Sequence, residues 1–112
     1  MSTLMAYLGL GAAILLGIAG QIALKSAAVA APSFAAQLFN PLTIVGLFIY
    51  GLASFGYIVA LNRIPVSIAF PSVAASYAIV AVLAHILWNE PLGWPQLGGI
   101  VLIGAGIIAI HQ

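Results

Sequence analysis

The sequence predicts an all-α integral membrane protein of four transmembrane helices, and three observations carry that reading. Of its 112 residues, 65% are hydrophobic and 3% are charged, with a mean hydropathy of +1.31. A soluble domain carries about a quarter charged residues, so this chain could not cover its surface with water-compatible groups. Four apolar runs approach the ~20 residues that a helix needs to cross ~30 Å of hydrocarbon. Turn-forming clusters separate them: "APSFAAQLFNP", "NRIP" and "NEPLGWP". Residues 1–112 therefore read as one four-helix domain.

The first span is expected over residues 4–24, stopping at Lys25. It lacks a basic n-region and three more runs follow, which argues for a retained span rather than a removable signal peptide. "SAAVAAPSFAAQLFNP" holds two prolines and several polar residues and reads as a connection lying partly in the membrane interface. The second span covers residues 42–61 and closes at "NRIP". Pro65 suits the first turn of the third span, residues 66–88, because a missing N–H costs nothing there. Pro71 inside that run is expected to kink the helix, since apolar sequence continues on both sides. Trp88 and Trp94 flank the next turn and favour the headgroup level. The fourth span covers residues 95–110.

Four spans put both termini on one side. The two short turns make the second, third and fourth spans antiparallel neighbours. Lys25 and Glu90 then fall opposite the termini and Arg63 falls on their side, so the positive-inside rule counts one cation against one. Either a partner fixes the orientation, or the chain inserts both ways or pairs antiparallel with a sister subunit.

Several function classes are excluded. Without cysteine there is no disulfide, redox or thiolate-metal chemistry. His85 and His111 are far apart and lack a carboxylate at ligand spacing, so no metal site is expected. No phosphate-binding glycine loop is present, and a net charge of +1 gives no basic patch for nucleic acid. No nucleophile–base pair is visible, so the chain reads as no enzyme, with no catalytic residue and no cofactor.

The polar residues within the spans are few. Gln21 and Lys25 stand one helical turn apart at the end of the first span. Tyr50, Ser54 and Tyr57 share a face of the second, and Ser72, Ser76 and Tyr77 lie together on the third. Serines in membrane helices often bond their own backbone four residues back, and a tyrosine near a helix end is usually an interfacial anchor. His85 reads as an interfacial residue. Glu90 is the single side-chain acid and lies on the side of Lys25, with which it can pair. Small residues mark close helix contacts. Gly9, Ala13, Gly17, Gln21 and Lys25 form one ridge, and Gly98, Gly99, Ala105 and Gly106 form a small-residue face on the last helix. That last face has no further helix to meet in this chain and is expected to serve dimer packing.

"RIPVSIAFPSVAASYAIVAVLAHILWNEPLGWPQLGGIVLIGAGIIAI", residues 63–110, resembles the C-terminal half of small four-helix members of the drug/metabolite transporter superfamily. "IPVSIAFP", a span, "NEP" and a glycine-rich last helix are shared with EamA-like domains and with the small multidrug resistance family. "AGQIALK" is similar to the flippase subunits that move aminoarabinose-phospho-undecaprenol across the bacterial inner membrane. The resemblance implies a multi-pass inner-membrane protein acting as a homodimer or as a heterodimer with a similar four-helix subunit, with substrate at the interface of related halves. One departure separates the branches. The multidrug exporters carry a glutamate midway along their first helix, and the aligned position here is Gly17. Their aromatic positions on the third helix are replaced by Phe70 and Val73. Without an intramembrane carboxylate, a lipophilic cation has no counter-charge in the bilayer.

Three functions stay open on the sequence. The leading one is a transporter subunit that binds or flips an undecaprenyl-phosphate-linked aminosugar or a related anionic lipid. Gln21 and Lys25 would then take the headgroup at one face and Arg63 at the other. Tyr50, Ser54 and Tyr57 would lie between them, with Ser72, Ser76, Tyr77 and Glu90 as further contacts. Against it stands a plain structural role, in which Lys25 terminates a span and Gln21 bonds a neighbouring helix. The second function is an exporter of drug-like or metabolite solutes. The third is a non-transporting membrane subunit of a lipid-modification complex.

Overall fold

Ser2 caps the first helix, its hydroxyl accepting from the Met5 N–H at 3.2 Å. In the computed structural model, which describes residues 2–112, this helix, α1, runs Thr3–Ala30. Its 28 residues make it about 42 Å long. The expected stop at Lys25 is therefore corrected: the helix continues for more than a turn beyond it. Lysine is a good helix former and the following alanines are better, so nothing breaks the helix before Pro32. Pro32 forces its predecessor Ala31 into extended backbone, φ −120° and ψ 142°. The connection holds a short helix, α2, Phe34–Leu38, capped by Ser33. Gln37 ties it to α1 by donating its amide to the Ala28 and Ala31 carbonyls at 3.0 and 3.2 Å. That satisfies acceptors which the end of a helix leaves open.

Asn40 caps α3, Pro41–Leu61, accepting from the Leu42 N–H at 2.9 Å. The third apolar run divides into α4, Val66–Val73, and α5, Ala75–Trp88. The expected disturbance at Pro71 is present. Pro71 has no N–H to donate, and just beyond it Ala74 and Tyr77 bond three residues back instead of four, at 2.9 and 3.0 Å. Last comes α6, Trp94–Ile110, opened by Gln96 Oε1 accepting from the Gly93 N–H.

Small residues decide the packing. Lipid supplies apolar contact everywhere, so helices gain by meeting only where their backbones can come close. A Cβ on Gly9 would lie 2.7 Å from the Gly56 carbonyl, and one on Gly56 would lie 2.8 Å from the Gly9 carbonyl. Further along, a Cβ on Gly20 would meet the Tyr50 ring at 3.0 Å, and one on Gly46 would meet Leu24 at the same distance. The pairing of Gly9 with Gly56, and of Gly20 with the Gly46 region, makes α1 and α3 antiparallel. Ala6 and Ala60 extend the seam and are fully buried in a cluster with Leu10, Ile64 and Ala69.

The third and fourth spans are neighbours as expected, α6 meeting α4 and α5, whereas the second and third spans touch only near their shared turn. Most interhelical contact is between α1 and α3, while the α3 backbone approaches α4 only briefly and stays apart from that of α5. A gap is left between α3 and the α4–α5 wall. The molecule is a thin slab, 45 × 35 × 18 Å, and its outer faces are apolar, with Phe39 81% and Trp94 86% exposed. Thr3–Ala30, Pro41–Leu61 and Val66–Trp88 are each long and apolar enough to cross a membrane, and the 17-residue α6 is shorter. No α6 residue is buried.

Candidate functional site: a groove leading to an ion pair

The gap between α3 and α4–α5 is a groove of about 440 Å³, floored by α1. Gly17 makes the floor low: a Cβ there would meet nothing within 4 Å, so the missing side chain opens space that no neighbour fills. Ala53 and Tyr57 line one wall, Phe70 and Val73 the other. Four polar side chains cross this apolar trough: Gln21 from α1, Tyr50 and Tyr57 from α3, and Tyr77 from α5. None of the four finds a hydrogen-bond partner among the described residues. The groove serines are already used: Ser54 donates to the Tyr50 carbonyl at 3.1 Å and Ser76 to the Val73 carbonyl at 2.7 Å. Such back-bonding is the structural role expected of them.

Gln21 and Tyr77 also line a second groove, about 310 Å³, which follows Val80, Ala81 and Ala84 of α5 to Glu90. There the Glu90 carboxylate meets the Lys25 ammonium at 3.1 Å, with the two side chains 41% and 42% exposed. The pairing read from the sequence is therefore present. The Lys25 ammonium also lies 5.9 Å from the centre of the Trp88 ring, within cation–π range. The turn that delivers Glu90 is built locally. Asn89 ends α5 in the left-handed region, φ 56°, which asparagine tolerates. The Glu90 N–H then returns to the Ala84 carbonyl at 3.4 Å, and His85 Nδ1–H donates to the Glu90 carbonyl at 2.7 Å. His85 thus clamps this turn, a more specific role than interfacial anchoring.

Other sequence candidates are not gathered here. Arg63 lies in the turn between α3 and α4 and lines neither groove. Ser72 is buried, donates to the Ile68 carbonyl at 2.7 Å, and faces His111 Nε2 at 3.5 Å. The ridge on α1 is divided: Gly9 is closed by Gly56 and Val59, whereas Ala13, Gly17 and Gln21 line the groove. On α6, Cβ atoms added at Gly98, Gly99 or Gly106 would meet nothing within 4 Å, and Ala105 is exposed.

Two features went unread in the sequence. Gly46, Ala53 and Ala60 recur every seven residues on the second span, the counterpart of the first-span glycines. The Tyr7–Ser72–His111 cluster gathers three helices at one end, with Tyr7 and His111 ring centres 6.5 Å apart. Residues so distant in sequence carry no local pattern that would announce it.

A family model described as the EamA-like transporter family matches residues 1–111. Among curated relatives, a probable 4-amino-4-deoxy-L-arabinose-phosphoundecaprenol flippase subunit ArnF of Shewanella sediminis is 40% identical over 82 residues, covering 70% of this chain and 57% of the relative. This chain thus matches only a little over half the length of that relative. A probable subunit ArnE of the same flippase from Sodalis glossinidius is 33% identical over 108 residues, 95% of this chain and 96% of the relative. A probable ArnF of Klebsiella pneumoniae is 38% identical over 106 residues, 82% of this chain and 83% of the relative. No solved structure matches the chain. The family is one of transporters, not enzymes, and it accounts for the long apolar helices. The chain is a multi-pass membrane protein belonging to the EamA-like transporter family.

Proposed function

We propose that this chain is one subunit of a flippase for an undecaprenyl-phosphate-linked aminosugar, the substrate named for its ArnE and ArnF relatives. It would cross the bacterial inner membrane four times with both termini on one side, a reading supported by the contact of Tyr7 with His111. One observation carries the substrate class. The groove is an apolar trough lined by Gln21, Tyr50, Tyr57 and Tyr77, whose amide and hydroxyls can donate and accept hydrogen bonds. A polar group held in a low-dielectric setting without a hydrogen bond costs free energy, and a sugar supplies donors and acceptors for all four. The prenyl tail would lie over Gly17 against Phe70 and Val73.

A solute exporter driven by a first-helix carboxylate is poorly served by this site. Gly17 occupies the position where the exporters resembled by this sequence carry that acid, and Glu90 is already paired with Lys25. Four helices enclose little volume, so a second four-helix chain, identical or related, would complete the path. The open glycine face of α6 is offered as part of that contact.

The test is binding to the purified full chain in lipid nanodiscs. Wild type should bind undecaprenyl phosphate in preference to a quaternary ammonium dye. Gly17→Leu should weaken prenyl-phosphate binding about tenfold or more by filling the floor, with no charge altered. Tight dye binding without prenyl-phosphate binding would overturn the proposal in favour of the exporter reading. Binding of neither would favour the non-transporting subunit.

A further inference from the structure

We infer that the Lys25–Glu90 pair is the receptor for a zwitterionic headgroup, with Glu90 taking an ammonium and Lys25 a phosphate. The inference rests on the lipid-linked aminosugar reading above and assigns its two charges to named side chains. The pair ends a continuous route: the larger groove passes Gln21 and Tyr77 into the smaller one, and the smaller one reaches Glu90. Glu90 is the one charged residue lining either groove among the described residues, and Lys25 joins it through the ion pair.

Charge balance selects the ligand. A purely anionic headgroup drawn to Lys25 would lie beside the Glu90 carboxylate, 3.1 Å from the ammonium it seeks. A purely cationic one would meet the reverse difficulty. A ligand carrying both signs offers each partner an opposite charge in exchange for the one it leaves, with no like-charge contact. At 3.1 Å there is no room for a sugar ring between the two groups, so the pair opens as the headgroup enters.

Opening is cheap and has a built-in direction. Both side chains are about two-fifths exposed, and ion pairs so accessible contribute little to stability. Glu90 is fixed through its backbone, since its N–H bonds the Ala84 carbonyl and its carbonyl accepts from His85. Lys25 has a flexible four-carbon stem, and the Trp88 ring beside its ammonium offers a resting contact when the carboxylate is taken. The lysine moves and the carboxylate stays.

The experiment compares two ligands on the full chain in nanodiscs: a short-chain prenyl phosphate bearing a 4-amino sugar, and the same lipid N-acetylated so that the amine is neutral. Wild type should bind the amino form about tenfold more tightly, the scale of one charge-assisted hydrogen bond. Glu90→Gln should abolish that preference while still binding the acetylated lipid, which also reports that the variant is folded. Glu90→Asp should retain the preference, and Lys25→Gln should weaken both lipids. A wild type that binds both forms equally, or a Glu90→Gln variant that keeps the preference, overturns the inference and leaves the flippase reading standing. A wild type that binds neither overturns both.

Discussion

Gly9 of α1 and Gly106 of α6 both sit within apolar helices, yet a Cβ on Gly9 would lie 2.7 Å from the Gly56 carbonyl, while one on Gly106 would meet nothing within 4 Å. On α1, Gly9 and Gly20 are closed by α3 whereas Gly11 and Gly17 are open, and on α6 every glycine is open. The α1–α3 seam uses its glycines for close backbone approach inside one chain. In α6 the small face is open and no residue is buried. The difference follows from the partner, not from the helix itself. α3 presents Gly46, Gly56 and Ala60 to α1, whereas no described atom lies where a Cβ on an α6 glycine would go. Gly17 is the intermediate case, on the same ridge as Gly9 but facing the groove. A small residue in a membrane helix therefore reports a close approach only where a second small face meets it.

The largest effect expected from breaking this contrast is at the seam. Gly9→Ala or Gly56→Ala places a methyl group against a backbone carbonyl that cannot rotate away, so α1 and α3 must separate. Overpacking of this kind costs about 1–3 kcal/mol, and leucine at either position should cost more. Thermal unfolding in detergent should show a lowered midpoint for both alanine variants. Unchanged midpoints would mean that the seam is not the organising contact.

A smaller effect on the fold, but a clear one on assembly, is expected at α6. The double substitution Gly99→Leu with Gly106→Leu should leave the unfolding midpoint within the range of surface changes, about 0.5 kcal/mol, because no described atom lies where the new Cβ atoms go. It should reduce chain–chain cross-linking in native membranes if α6 carries the subunit contact. Cross-linking at the wild-type level would remove α6 from the interface, and a large fall in stability would contradict its open packing.

Much of the fold was legible because local chemistry sets it. Asn40 before Pro41, Pro65 before Val66 and the turn from Asn89 to Gly93 all lie where helices change, and each acts through its own backbone limits. Pro71 announced its break for the same reason. α1 runs past Lys25, the polar residue at which the apolar span is expected to end. A lysine is a good helix former, and only Pro32 removes the geometry that a helix needs. Asking which polar groups an oily chain retains singles out Gln21, Lys25, Tyr50, Tyr57, Tyr77 and Glu90, and the structure places them along the grooves and the ion pair. Arg63 lies in the turn between α3 and α4, at the far end from Lys25, and Ser72 is buried beside His111, so neither lines a groove. The Tyr7–Ser72–His111 cluster depends on how α1, α4 and α6 come together, which no sequence period encodes.

Under the proposed function, a lipid-linked headgroup and its tail occupy the open groove and are excluded from the closed seam. The most direct test is photolabelling in native membranes, using undecaprenyl phosphate with a diazirine in the tail, followed by mapping of the labelled residues. Label should concentrate on Gly17, Tyr57, Phe70 and Val73, with Gly9 and Gly56 unlabelled, and excess unlabelled prenyl phosphate should remove it. Label spread evenly over the exposed outer faces of α3 and α6, and not displaced by competitor, would contradict the account.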